Sequence, residues 1–183
     1  MKRVIVVFIL VFFVAVQVNA WTIENTNLAI HSSGKARMLA MKMANLYGVQ
    51  ALENFPIGKK RLSQKELGNA KMAMAEIYEA LLAFGPVAKN TELAEAVKTA
   101  QLSWIELEKF LSKPPSKTGF LDVLDASDTL LDNNEMMTSF MESLSPVPMS
   151  EIINMAVRQQ MYAMKLSRDY LAASMDIDKE YRI

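Results

Sequence analysis

GKARMLAMKMANLYG, residues 34–48, is the stretch that decides the fold. Its residues favour helix, and no proline interrupts it. At about 100° per residue, Gly34, Arg37, Met41 and Ala44 lie close to the direction of Ile30. Leu39, Met43 and Leu46 point the opposite way. Lys35 and Lys42 share a narrow basic ridge between these two apolar faces. A helix that is apolar nearly all round is a buried helix. Arg37 does not lie on the ridge, and a guanidinium keeps its charge, so it needs either a path to water or a partner.

The rest of the chain fits around this helix. Proline and glycine are sparse and fall in clusters: Pro56 and Gly58, Gly85 and Pro86, Pro114 and Pro115 with Gly119, and Pro146 and Pro148. Long Ala-, Leu-, Met-, Glu- and Lys-rich segments lie between them, and these favour helix. The expected helices cover about 25–54, 63–84, 91–112, 120–144 and 150–175. The early LAIHSSG could hold a bend, and Ser63 with Glu66 reads as a capping box. Leu67, Met74 and Leu81 recur every seven residues in the second helix. Leu93, Val97, Trp104, Leu107 and Leu111 make a similar stripe in the third. No alternating β-branched run is present beyond the N-terminus. The expected fold is all-α, an antiparallel four- or five-helix bundle.

The chain repeats itself across that bundle. Residues 157–170, VRQQMYAMKLSRDY, follow residues 34–47 at an offset of 123. Met38, Ala40, Met41, Lys42 and Tyr47 meet Met161, Ala163, Met164, Lys165 and Tyr170. The basic ridge recurs as Arg158 and Lys165. Gln160 stands where Arg37 stood, and Val157 where Gly34 stood. One box motif is therefore used on both the first and the last helix.

Composition bounds the functions. The chain has 183 residues, half of them apolar, and 20 basic against 20 acidic side chains. That is enough for one domain with a core, and the apolar share argues against disorder. Nothing suggests a nucleic-acid partner. The chain lacks cysteine and has one histidine, His31, so zinc is not expected, and neither is another metal or a cofactor. Met-x-x-Met and Met-x-Met spacings invite Cu(I), which soft thioethers select, but their helical spacing points to packing. No nucleophile elbow or phosphate loop occurs, so an enzyme is not expected. The acidic run Asp122, Asp125, Asp128, Asp132 and Glu135 reads as the solvated face of its helix, although Asp122, Asp125, Asp128 and Glu135 are also the acids available to pair with Arg37.

The N-terminus reads as a secretory signal: Lys2 and Arg3, an apolar run at 4–16, then Val18 and Ala20 before the cut. Cleavage after Ala20 would leave a mature domain of 21–183, placed most simply in a periplasm. Loss of Lys2 and Arg3 would leave 18 basic against 20 acidic residues.

GKARMLAMKMA resembles the G-R-Q-R-M-L-S-Q-R-M-A signature of the PilJ-like sensory domain of type IV pili methyl-accepting chemotaxis transducers. It is also similar to the nitrate-binding box of NarX-like sensor kinases. Residues 153–167, INMAVRQQMYAMKLS, resemble the box again, with the family's I-N-x-A lead-in. The resemblance implies an all-helical periplasmic sensory module. It also implies a small anion, nitrate-like or a carboxylate, bound by the box arginine at a dimer interface. That arginine is Arg37, with Gly34, Met38 and Met41 beside it, and Gln160 and Met164 from the second box. Gln160 and Val157 depart from the pattern, so a two-arginine clamp within one chain is excluded, and a homodimer would supply the second Arg37. Sensors of this kind continue into a membrane helix and an output domain. This chain ends at Ile183, so it is expected to act through a partner, such as a membrane receptor. The alternative is a scaffold or adaptor whose box helices form an interaction surface and bind no small molecule.

Overall fold

A computed structural model describes residues 23–52, 56–145 and 149–177, without the side chains of 149–151. The expected signal peptide and its cleavage point lie outside the described residues. The helices are α1 (Thr26–Ala51), α2 (Ile57–Ala83), α3 (Gly85–Lys89), α4 (Thr91–Leu111), α5 (Lys117–Ser143) and α6 (Met149–Ser174). The all-α bundle is as expected, and no strand occurs among the described residues.

Local chemistry sets the boundaries. The side chains of Asn25, Asn90 and Ser116 accept the Leu28, Leu93 and Gly119 backbone N–H groups at 2.9, 3.0 and 3.0 Å. Each satisfies an otherwise orphaned donor at a helix start. Two expectations are corrected. LAIHSSG holds no break, because the Ser32 and Ser33 hydroxyls donate back to the carbonyls of Leu28 and Ile30 at 2.6 and 2.8 Å, so these polar residues can be buried within the helix. Ser63 is not a cap, because α2 begins at Ile57. Its hydroxyl donates to the Leu46 carbonyl at 3.1 Å and accepts from Gln50 at 3.2 Å, tying α2 to α1. Pro86 does not simply end α2. With no N–H to satisfy, it fits the first turn of the five-residue α3.

Helices α1, α2, α4 and α5 form an antiparallel four-helix bundle in which each packs on its two neighbours. The α6 helix is a fifth element, laid along α1. This placement explains the all-round apolarity of the opening stretch: α1 touches α2, α5 and α6, and Ile30, Met41, Met43 and Tyr47 are wholly buried. A small polar layer crosses the bundle core. Tyr78 donates to Asn134 at 2.8 Å, and Thr138 donates to Ser33 at 2.9 Å. Burial pushes the Tyr78 phenol well above its ordinary range, so it stays protonated as that donor.

The two box helices run parallel. Successive contacts pair Arg37 with Asn154 and Asn45 with the Met164 carbonyl. Gly34 lies against Val157, and Gly48 against Leu171, both at an offset of 123. The repeat spacing of the sequence is thus the register at which the two helices sit side by side. The α1–α5 contacts run the other way, from Ser33 with Thr138 to Gly48 against Phe120, and the Tyr47 hydroxyl donates to the Pro114 carbonyl just before α5 at 3.1 Å.

Candidate functional site

Arg37 is fully buried. Its Nη1 donates to Glu135 Oε2 on α5, and its Nη2 donates to Asn154 Oδ1 on α6. Arg158, on α6, donates through its own Nη2 to Glu135 Oε1. One carboxylate therefore joins two guanidiniums, and the cluster ties α1, α5 and α6 together. The Nε atoms of Arg37 and Arg158 are buried without a hydrogen-bond partner. Burial pulls the Arg37 pKa down to about 10, and the positive charge of Arg158 adds to that fall. The Glu142 carboxylate and the ionisable Tyr162 phenol oppose it. Arg37 thus remains a cation at neutral pH, and the charge it needs comes from within the chain.

The other box residues take distinct places. Gly34 makes room: a Cβ there would lie 2.8 Å from Val157 Cγ1 and 3.3 Å from Arg37 Nη2. Met38 is half-buried against the core, and Met41 is enclosed in it. Gln160, which the repeat sets at the position of buried Arg37, is exposed, so the two copies do not share that environment. Met164 is half-buried, and its carbonyl accepts from Asn45 at 2.8 Å. The basic ridge is also revised. Lys35 is exposed, Lys165 is half-buried, and Lys42 pairs with Glu66 at 3.1 Å. Arg158 leaves the ridge for Glu135, although 41% of its side chain stays exposed. His31 is exposed. Met41, Met43, Met74, Met137 and Met161 are core residues, which fits the packing reading of the methionines. No cluster of His, Asp or Glu suited to a metal ion occurs among the described residues.

A second buried arginine escaped the sequence reading. Arg168, on α6, is almost wholly enclosed. It donates to Asp128 at 2.5 Å, to Ser127 at 3.0 Å and to Asp169 at 2.9 Å. Asp128 and Glu135 are therefore not part of a solvated face. They stand seven residues apart on α5 and hold α6 at two levels, whereas Asp122, Asp125 and Asp132 of the same run are exposed. That heptad spacing was the available signal.

Apart from these ties, α6 leaves one face open. Ile152, Met155, Tyr162, Leu166 and Tyr170 are each more than half exposed. Tyr170 occupies the repeat position of Tyr47, which is wholly buried. The repeat is thus turned inward in α1 and outward in α6.

Gly34→Ala should cost about 1–3 kcal/mol in denaturant unfolding, because its new methyl meets a stiff β-branched neighbour. Adding Val157→Ala should recover most of that loss. A Gly34→Ala protein as stable as the parent would show that the close approach of α1 and α6 is not needed.

No known family model, curated protein or solved structure matches this chain.

Proposed function

We propose that this chain is an exported helical interaction module of the PilJ-like sensory type, working by protein contact along α6 rather than by a small molecule at Arg37. The observation that carries this reading is the commitment of Arg37. Its guanidinium is satisfied by Glu135 and Asn154, both from the same chain. A visiting anion would have to displace a carboxylate already in contact, and so would gain little. The polar chemistry of the box then serves to hold α6 in place. Outward, α6 presents five large apolar or aromatic side chains, Ile152, Met155, Tyr162, Leu166 and Tyr170, among Gln159, Gln160 and Ser167, and that apolar share is more than a solvated helix needs.

Two measurements test this. A photo-crosslinking residue at Tyr162, in cells exporting the chain, should give larger adducts, while one at exposed Thr99 on α4 should not. Absence of adducts at Tyr162 defeats the reading. Thermal melts with nitrate, nitrite and small carboxylates should leave the midpoint unchanged. A ligand at a hundredfold over its Kd would add about 2.7 kcal/mol to stability.

One observation favours a second reading, an anion sensor. Two guanidiniums share one carboxylate, and each keeps a buried Nε without a partner. A small anion seated on those two N–H groups would complete the charge balance. A midpoint rise with nitrate that Arg37→Lys abolishes would establish this reading in place of the first.

A further inference from the structure

The chain balances 20 basic against 20 acidic side chains, but the fold sorts them by end. Ser63 reaches the Leu46 carbonyl, and Tyr47 reaches the Pro114 carbonyl. The start of α2 and the link from α4 to α5 therefore lie at one end of the bundle. Ile57 stands about 9 Å further out along α2 than Ser63, at 1.5 Å per residue. At this end Lys59, Arg61, Lys65, Lys113 and Lys117 are exposed, and Lys60 is half-buried. Among the described residues, Glu66, Glu108 and Asp169 nearby are bound to Lys42, Lys71 and Arg168, which leaves Asp122 and Asp176 to oppose these cations. The opposite end carries Glu24, Glu76, Glu79, Glu92 and Glu95, all exposed, against Lys89 and Lys98.

The first turns of α2 go against local helix chemistry. Residues 56–65, PIGKKRLSQK, hold four cations and no acid. In the sequence the nearest acids are Glu53, outside the described residues, and Glu66. A helix N-terminus carries positive partial charge and favours acids, and no side chain caps this one. Two aliphatic side chains also stand in water there, Ile57 at 76% and Leu62 at 59% exposure. The chain alone gains nothing from either feature. A partner that is anionic at its surface and apolar beneath gains from both.

We propose that this end of the bundle docks on an anionic lipid surface. Lys59, Lys60 and Arg61 meet the phosphate headgroups, and Ile57 and Leu62 enter the acyl boundary below them. The acidic far end turns the molecule, since the field of the surface attracts one end and repels the other. A nucleic-acid backbone would use the same cations but leave both aliphatic side chains in water. This inference goes beyond the α6 reading and uses a different surface.

The test is cosedimentation of the mature chain, 21–183, with vesicles of two parts phosphatidylcholine to one part phosphatidylglycerol. Binding is expected there and not on phosphatidylcholine alone, and salt should weaken it. Each cation near such a surface contributes roughly fivefold in affinity, so Lys59→Glu with Arg61→Glu should weaken binding by more than about tenfold. The same pair should keep or raise the melting midpoint, because acids suit a helix N-terminus. Lys89→Glu with Lys98→Glu makes the same charge change at the far end and should leave binding within about twofold. Leu62→Ser should weaken it severalfold at unchanged charge. No binding to the anionic vesicles, equal binding to the neutral ones, or equal losses from the two double variants overturns the proposal. Binding that ignores Leu62→Ser, or that millimolar inorganic phosphate abolishes, belongs to a bare anion site and overturns it too. Crosslinking at Tyr162 is read on another helix, so failure here leaves the α6 reading standing.

Discussion

Glu135→Ala should lower the unfolding free energy by about 3–5 kcal/mol, the usual cost of leaving a buried charge without its partner. The substitution orphans two cations at once, Arg37 in the interior and Arg158 at its edge. Water reaches about a third of the Glu135 side chain, so the loss should fall toward the lower end of that range. Glu135→Gln should be milder, since one amide oxygen can still accept a hydrogen bond, though without charge. The decisive comparison is the double variant Arg37→Met with Glu135→Leu. Replacing a buried ion pair by hydrophobic side chains of similar size is often near neutral. The double variant should therefore be more stable than Glu135→Ala alone, although Arg158 still loses its acceptor. Urea unfolding of the three proteins measures this. A loss under about 1 kcal/mol for Glu135→Ala would mean that Arg37 is not held by that carboxylate.

The second large effect is steric. A Cβ at Gly48 would lie 2.5 Å from Phe120 Cζ and 2.8 Å from Leu171 Cδ2. Phe120 is wholly buried and Leu171 packs on the core, so α5 and α6 both press on this point of α1. Gly48→Ala gains helix propensity of up to about 1 kcal/mol but forces the ring aside, so a net loss of about 1–2 kcal/mol is expected. Gly48→Val adds a branched side chain between two fixed neighbours and should cost about 3 kcal/mol or more. Phe120→Leu should rescue part of the Gly48→Ala loss, because it removes the ring atoms in the way. Thermal and denaturant unfolding of the set measures both effects. A tolerated Gly48→Val would show that the three helices do not meet at this distance.

Much of the fold was legible because it rests on patterns that survive without coordinates. The all-round apolarity of residues 34–48 marked α1 as the most enclosed helix, and α1 is the element touched by α2, α5 and α6. The proline–glycine clusters marked where helices start and end. The box repeat marked the two helices that pair, and its offset turned out to be their register. The partner of Arg37 was not legible. Four acids stood in its range, and only three-dimensional packing selects Glu135 among them. Gln160 was misplaced for a related reason. Equal positions in a repeat imply equal environments only if both helices have neighbours on the same sides, and α6 lacks the surroundings of α1. Arg168 went unseen because it aligns with Asn45, so no conserved feature of the box pointed to it. The short α3 followed from a proline that starts a helical turn as readily as it ends one.

The position of α6 carries a mechanical consequence. Every other long helix is wedged between two bundle neighbours, but α6 is attached along one side, by α1 and by two arginine anchors to α5. The last helix is therefore the seam at which the molecule would first peel open, and whatever covers its outer surface in the cell also clamps that seam shut.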